Sequence, residues 1–221
     1  MWRTITTILW KDLKIEMRTK EAFSASFVFS VLVLVIFNII LNMTSEDALE
    51  MGAGLLWVAF AFSGVLSLNR SFALEKEENC LQALVLAPVD RGAIYIGKFL
   101  ANVIFMLVTN LIILVLFAVF FNVGIVDQFG LLALIVFLGT VGFASVGTTF
   151  SAIASHTRMR EVMLPILFLP VTVPVLIAAV ETTAFALGVR EEASVWFKLL
   201  VVYDVVFFTV CFITFDYLVQ D

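Results

Sequence analysis

The sequence predicts an all-α membrane protein with six transmembrane helices, an amphipathic interfacial helix before them and a short amphipathic helix between the second and third spans. Mean hydropathy is +1.12, 62% of the residues are hydrophobic and only 14% are charged. Soluble domains have about half apolar and a quarter charged residues. Six stretches reach the roughly 20 apolar residues that cross a bilayer. The formal charge of -5 gives no reason to expect a nucleic-acid partner.

The first element is predicted as a cytoplasmic amphipathic helix over residues 1–21, lying on membrane lipid. At 100° per residue, one face carries Trp2, Ile5, Leu9, Leu13 and Met17. Lys11, Lys14 and Arg18 cluster on the opposite side. This is the pattern of a helix in the membrane interface. The alternative is a solvated tail that happens to be helical.

The membrane-spanning elements are predicted to form one transmembrane domain over residues 1–221. The six predicted spans are residues 22–43, 50–69, 94–122, 129–155, 162–186 and 196–219. Charged residues precede the first span and no small-residue cleavage signature is present, so we expect a permanent anchor.

Lysine and arginine are segregated between the loops. Five precede the first span, four lie between the second and third spans and two between the fourth and fifth, which places eleven on one side. The other side has only Arg190 and Lys198. The positive-inside rule therefore predicts that both termini and the loop of residues 70–93 are cytoplasmic.

The fourth span carries two rows of small residues at every fourth position. They are Thr140, Ala144, Thr148 and Ala152, and beside them Gly147, Ser151 and Ser155. Such rows let helix backbones approach closely. They predict a packing surface, either within the chain or between copies.

The fifth span contains Pro165, Pro170 and Pro174. Each proline removes an internal hydrogen bond and favours a kink. A broken helix in a membrane often lines a cavity or a moving interface. A kinked helix with a purely structural role is the alternative.

Residues 92–98 match the pattern G-x-x-x-x-G-K of a phosphate-binding loop, but Phe99 stands where Ser or Thr would hold Mg²⁺. A turn, not a strand, is expected before Gly92. We therefore expect no nucleotide binding here and interpret Lys98 as an interface anchor whose stem snorkels.

Few other side chains suggest chemistry. His156 is the single histidine and lies in a predicted loop, while Cys80 and Cys211 have no metal-type spacing. Asp204 lies inside the sixth span, where a carboxylate is costly and usually paired or functional. A packing hydrogen bond is its default role, and a substrate or proton role the alternative. No catalytic or metal site is predicted, so the chain is not expected to be an enzyme by itself.

The insert of residues 72–87 shows helical amphipathicity. Its apolar arc consists of Leu74, Leu81, Leu84 and Val85, and its polar side of Glu75, Lys76, Asn79 and Gln82. The pattern predicts a short helix ended by Pro88 at the inner membrane face. An ordinary loop with helical propensity is the alternative.

The run "EKEENCLQALVLAPVDRGAIYIGK" resembles the loop between the second and third helices of the ABC-2 type exporter permeases. With the start "ILWKDLKIEMRTKE", the six spans and the proline-bearing fifth span, nearly the whole chain is similar to the cytochrome c maturation permeases, the haem exporter protein B (CcmB) family.

The resemblance implies an inner-membrane permease of a bacterial cell, with both termini cytoplasmic. It implies a separate ATPase subunit that binds and hydrolyses ATP, and haem-handling membrane proteins as further partners. Haem is implied as the transported or handled species, with no cofactor bound by this chain. A second copy of the chain is another candidate partner. The residues implied to couple the chain to the ATPase are Glu75, Glu77, Leu81, Leu84 and Pro88.

Two other functions remain open at this point. One is an ABC-2 exporter of lipid-linked saccharide or drug, and the other is a structural subunit that holds a haem-handling complex together. The absence of histidine from every predicted span disfavours direct haem ligation.

Overall fold

The computed structural model describes residues 1–41, 45–77, 90–155 and 160–218. These ranges form seven helices and contain no strand. The helices are α1 (Trp2–Thr19), α2 (Glu21–Leu41), α3 (Ser45–Glu77), α4 (Arg91–Phe121), α5 (Phe129–Ser155), α6 (Arg160–Ala186) and α7 (Ser194–Leu218). The all-α prediction is confirmed, and α2 to α7 each contain a stretch long and apolar enough to cross a membrane.

The helix boundaries differ from the predicted spans mainly around the insert. The second spanning helix does not end near residue 69 but continues to Glu77, and the third begins at Arg91. Residues 72–77 are therefore the end of α3 and not the start of a separate helix, because no helix-breaking residue lies between residues 70 and 77. Leu81, Leu84 and Pro88 lie outside the described residues, as does His156.

Helix α5 lies at the centre of the bundle and packs against α3, α4, α6 and α7. In the spanning stretches of α3 and α5, 72% and 56% of the residues are buried, compared with 17% in α2. Gly139 lies against the ring of Trp57, and Gly147 lies against Leu68. The Ser151 hydroxyl donates to the Leu68 carbonyl at 2.7 Å. The small residues of the fourth span thus form a packing surface within the chain.

Pro165, Pro170 and Pro174 all lie inside α6, which continues through them as a single helix. Side-chain hydroxyls donate to backbone carbonyls in this region. The Tyr203 hydroxyl donates to the Val171 carbonyl at 3.0 Å, and the Thr172 hydroxyl lies 3.1 Å from the Leu169 carbonyl. These acceptors are not the carbonyls that the prolines leave without an amide donor, which belong to residues 161, 166 and 170, four positions before each proline.

Candidate functional site

The N-terminal helix packs along the first turns of α4. Ile5 and Ile8 are its buried residues, and they lie against Gly97. A Cβ at position 97 would stand 2.9 Å from the Ile8 side chain and 3.3 Å from the Ile5 carbonyl oxygen, closer than packed atoms normally approach. Glycine at position 97 is therefore what allows α1 to lie so close.

The face of α1 that packs on α4 is different from the apolar face that was predicted to lie on lipid, and the two share Ile5. Of the predicted apolar face only Ile5 is buried, whereas Trp2 and Met17 are 75% and 69% exposed. Ile5 and Ile8 instead share a neighbouring stripe with Asp12, since these positions follow helical spacing. The remainder of the predicted face lies outside the protein core, where lipid can cover it.

Lys98 is fully buried, which differs from the predicted snorkelling side chain. Its Nζ lies 3.1 Å from Asp12 Oδ2, and the exposed fractions of the two side chains are 0% and 15%. The second carboxylate oxygen of Asp12 lies 3.0 Å from Lys11 Nζ. The lysine stem does not extend to water, because a carboxylate on α1 supplies its partner inside the protein.

The segment that matches a phosphate-loop pattern forms the first turns of α4. The Asp90 side chain caps this helix by accepting from the Gly92 amide at 3.1 Å. Gly92 lies against the ring of Phe212 in α7. Both glycines and the lysine of the pattern thus have roles in helix packing.

Two amide–hydroxyl pairs join α4 to α5 inside the bundle. Asn102 donates to the Thr148 hydroxyl at 3.0 Å, and Asn110 donates to the Thr140 hydroxyl at 3.1 Å. All four residues are at most 4% exposed. Neither asparagine was among the residues singled out from the sequence. Their spacing could have predicted the pairing. The two asparagines are eight residues apart in one helix and the two threonines are eight residues apart in the next, so the two pairs can meet when the helices are antiparallel.

Asp204 lies in α7 and is 7% exposed. Neither carboxylate oxygen makes a hydrogen bond within the described part of the chain. The expected packing hydrogen bond is therefore wrong. A Cβ at position 142 of α5 would stand 2.5 Å from Asp204 Oδ1, with Val175 and Tyr203 beside it. The carboxylate is held against the backbone of Gly142, at the junction of α5, α6 and α7.

A cavity of about 550 Å³ opens where α5, α6 and α7 meet near the loop that joins α6 to α7. Its lining includes Leu131, Phe185, Glu191, Glu192, Phe197 and Lys198. Elsewhere, an apolar groove of about 160 Å³ lies between α3 and α6. The ranges that the structure describes contain no group of three His, Cys, Asp or Glu side chains placed to hold a metal ion.

Six apolar helices of spanning length define a multi-pass helical membrane protein, in which α3, α4, α6 and α7 pack on α5 and α2 packs on α3 and α4. An additional N-terminal amphipathic helix packs on the third span. The chain belongs to the CcmB protein family, whose model matches residues 3–218.

Its relatives include the Heme exporter protein B of Rhodobacter capsulatus, which is 28% identical over 79% of each chain. The Heme exporter protein B of Escherichia coli K12 is 28% identical over 78% of this chain and 80% of the relative. That of Haemophilus influenzae is 25% identical over 85% of this chain and 81% of the relative. The match therefore covers most of the chain and most of each relative.

Proposed function

We propose that the chain is the membrane-spanning permease subunit of an ATP-driven ABC transporter complex for cytochrome c biogenesis. The complex handles haem in one of two ways. It exports haem, or it uses ATP to release a chaperone that is loaded with haem. The observation that carries the proposal is the match to the CcmB family over residues 3–218, with relatives named Heme exporter protein B. ATP hydrolysis is assigned to a separate ATPase subunit.

The proposed location is the bacterial inner membrane, with both termini in the cytoplasm. The distribution of basic residues supports this orientation, since eleven lysines and arginines fall on one side of the six spans and two on the other. Haem-handling membrane proteins and a second copy of the chain are the other proposed partners.

The proposed coupling element comprises the end of α3 and the residues that follow it, with Glu75, Glu77, Leu81, Leu84 and Pro88 as its contributing residues. Its apolar arc would sit in a groove of the ATPase and its charges at the wet rim of that groove. Because α3 continues to Glu77, movement of this segment would act directly on the second spanning helix.

The test replaces Leu81 or Leu84 by Asp. A charge placed in a buried contact costs on the order of 2–5 kcal/mol, enough to weaken docking by about tenfold or much more. We expect normal accumulation of the protein, loss of ATPase co-purification and loss of cytochrome c assembly in cells. Gln82→Asp adds a charge to the opposite side of the same segment and is expected to preserve both.

Capture of the ATPase and assembly at the original level in both leucine variants would exclude this segment as the coupling element. If the variants lose the ATPase but still assemble cytochrome c, the chain acts as a structural subunit. Normal cytochrome c assembly in cells that lack the chain, with a defect in saccharide or drug export, would favour the exporter alternative.

A further inference from the structure

The interfacial helix is attached to the bundle at both of its ends. At the C-terminal end of α1, the backbone amide of Phe23 in α2 donates to Glu16 Oε1 at 3.0 Å. Nearer its start, Ile8 packs on Gly97. A helix that only floated on lipid would need neither contact. Helix α1 is thus placed to move with α4 and α2.

Between these attachments lies the Asp12–Lys98 ion pair. An ion pair that is largely withdrawn from water gains little stability over apolar residues of similar volume, because desolvation offsets the attraction. Removal of one partner is nevertheless costly, since the other side chain loses a charged partner at 3.1 Å, although Asp12 keeps Lys11 beside it. The pair therefore restricts α1 to one position on α4 without being needed for packing area.

The pair lies about two turns from the start of α4, the helix that follows the proposed coupling segment in the chain. Lys98 follows Asp90, the capping residue of α4, by eight residues, which is about 12 Å along a helix axis. The first two turns of α4 are therefore a short rigid link between the end of the segment and the pair. Any displacement of Asp90 along the helix axis is carried to Lys98.

We propose that Asp12 and Lys98 are positioning residues that lock α1 to α4, so that movement delivered by the ATPase shifts the interfacial helix and the third span as one unit. This inference rests on the proposed function. It assigns a coupling role to a contact within the permease, separate from the docking surface on the ATPase.

The test uses the full complex purified from cells, with the double variant Asp12→Asn/Lys98→Met as its main arm. The double variant leaves no unpaired charge of this pair, and methionine matches the length of lysine. We expect normal accumulation and normal ATPase capture, while cytochrome c assembly falls by about tenfold, within the range of typical coupling between sites. Lys14→Met removes an exposed lysine from the same helix and is expected to change nothing.

A merely structural pair predicts a different result. The single variants Asp12→Asn and Lys98→Met are expected to lose protein in either case, but for a merely structural pair the double variant would keep both protein and assembly. Full assembly in the double variant, or a loss that only follows its abundance or its ATPase capture, overturns the inference. If the unaltered chain captures no ATPase at all, the proposed function fails first and the inference falls with it.

Discussion

At the scale of single residues, the most unusual feature is the carboxylate of Asp204. It is buried against Gly142 and has no hydrogen-bond partner in the part of the chain that the structure describes. Burial of an unpartnered polar group costs about 1–3 kcal/mol in proteins. A side chain that weakens the fold in this way is a candidate for function, because functional residues often carry such costs. We therefore retain Asp204 as a proposed intramembrane functional residue.

The change Asp204→Asn tests this proposal. It preserves shape and removes the ionisable group but leaves a polar amide in the same place, so the free energy of unfolding in detergent should not fall. Cytochrome c assembly should fall by about tenfold or more if coupling uses the carboxylate. Asp127→Asn, in an exposed loop, is the matched control. Unchanged assembly in Asp204→Asn would assign the residue no functional role.

At the scale of helices, α1 shows that an amphipathic helix can have two working faces. One face carries Trp2 and Met17 outside the core, and the neighbouring stripe carries Ile5, Ile8 and Asp12 onto α4. The second face depends on Gly97, which removes the Cβ that would separate the helices. Contact between α1 and α4 is therefore set by a glycine on one helix and an isoleucine on the other.

The variant Gly97→Ala should lower the free energy of unfolding by about 1–3 kcal/mol, because its methyl group overlaps Ile8. Adding Ile8→Gly removes both Ile8 atoms that the new methyl group would meet, Cβ and Cγ2, so the costs of the two changes should not be additive. The free energies of unfolding of the single and double variants are measured by unfolding titrations of the purified chain. Gly54→Ala is the control, since no atom lies within 4 Å of a Cβ there and alanine favours helix. Equal stability of Gly97→Ala and the original chain would refute the close contact.

At the scale of the whole molecule, the bundle is built around α5. Its neighbours are fixed by the close approach of Gly139 and Gly147 to large side chains and by hydroxyls that meet Asn102 and Asn110. In a membrane, packing of this kind replaces the hydrophobic effect as the source of helix association. The same arrangement leaves the ends of the bundle to define its two aqueous faces.

The orientation of the bundle can be tested with cysteine labelling. A membrane-impermeant thiol reagent added to intact spheroplasts should label neither native cysteine, because Cys80 belongs to the proposed cytoplasmic loop and Cys211 is buried. Inside-out vesicles should allow labelling of Cys80. As a positive control, Val126→Cys should be labelled in spheroplasts, since Val126 is 86% exposed between α4 and α5. Labelling of Cys80 in intact spheroplasts would reverse the proposed orientation.

The sequence by itself determined the class of structure and the number of membrane-crossing helices. Long apolar runs can only be satisfied in a bilayer as helices, because every backbone polar group must bond within its own segment. Loop charges predicted an orientation for the same kind of reason, since their effect depends on position along the chain and not on contacts. The amphipathic start was predicted from helical spacing alone, and α1 confirms it as a helix.

Only the tertiary structure decided which polar groups meet. Asp12 and Lys98 are 86 residues apart in the chain and lie 3.1 Å apart in the bundle. Lys98 looked like an interface anchor and Asp204 like a hydrogen-bonded packing residue, and both expectations were wrong. Periodicity shows which side of a helix is apolar, but the partner of a buried charge depends on which helix face lies opposite. That choice is made by the close packing of glycines such as Gly97 and Gly142 against side chains from distant helices.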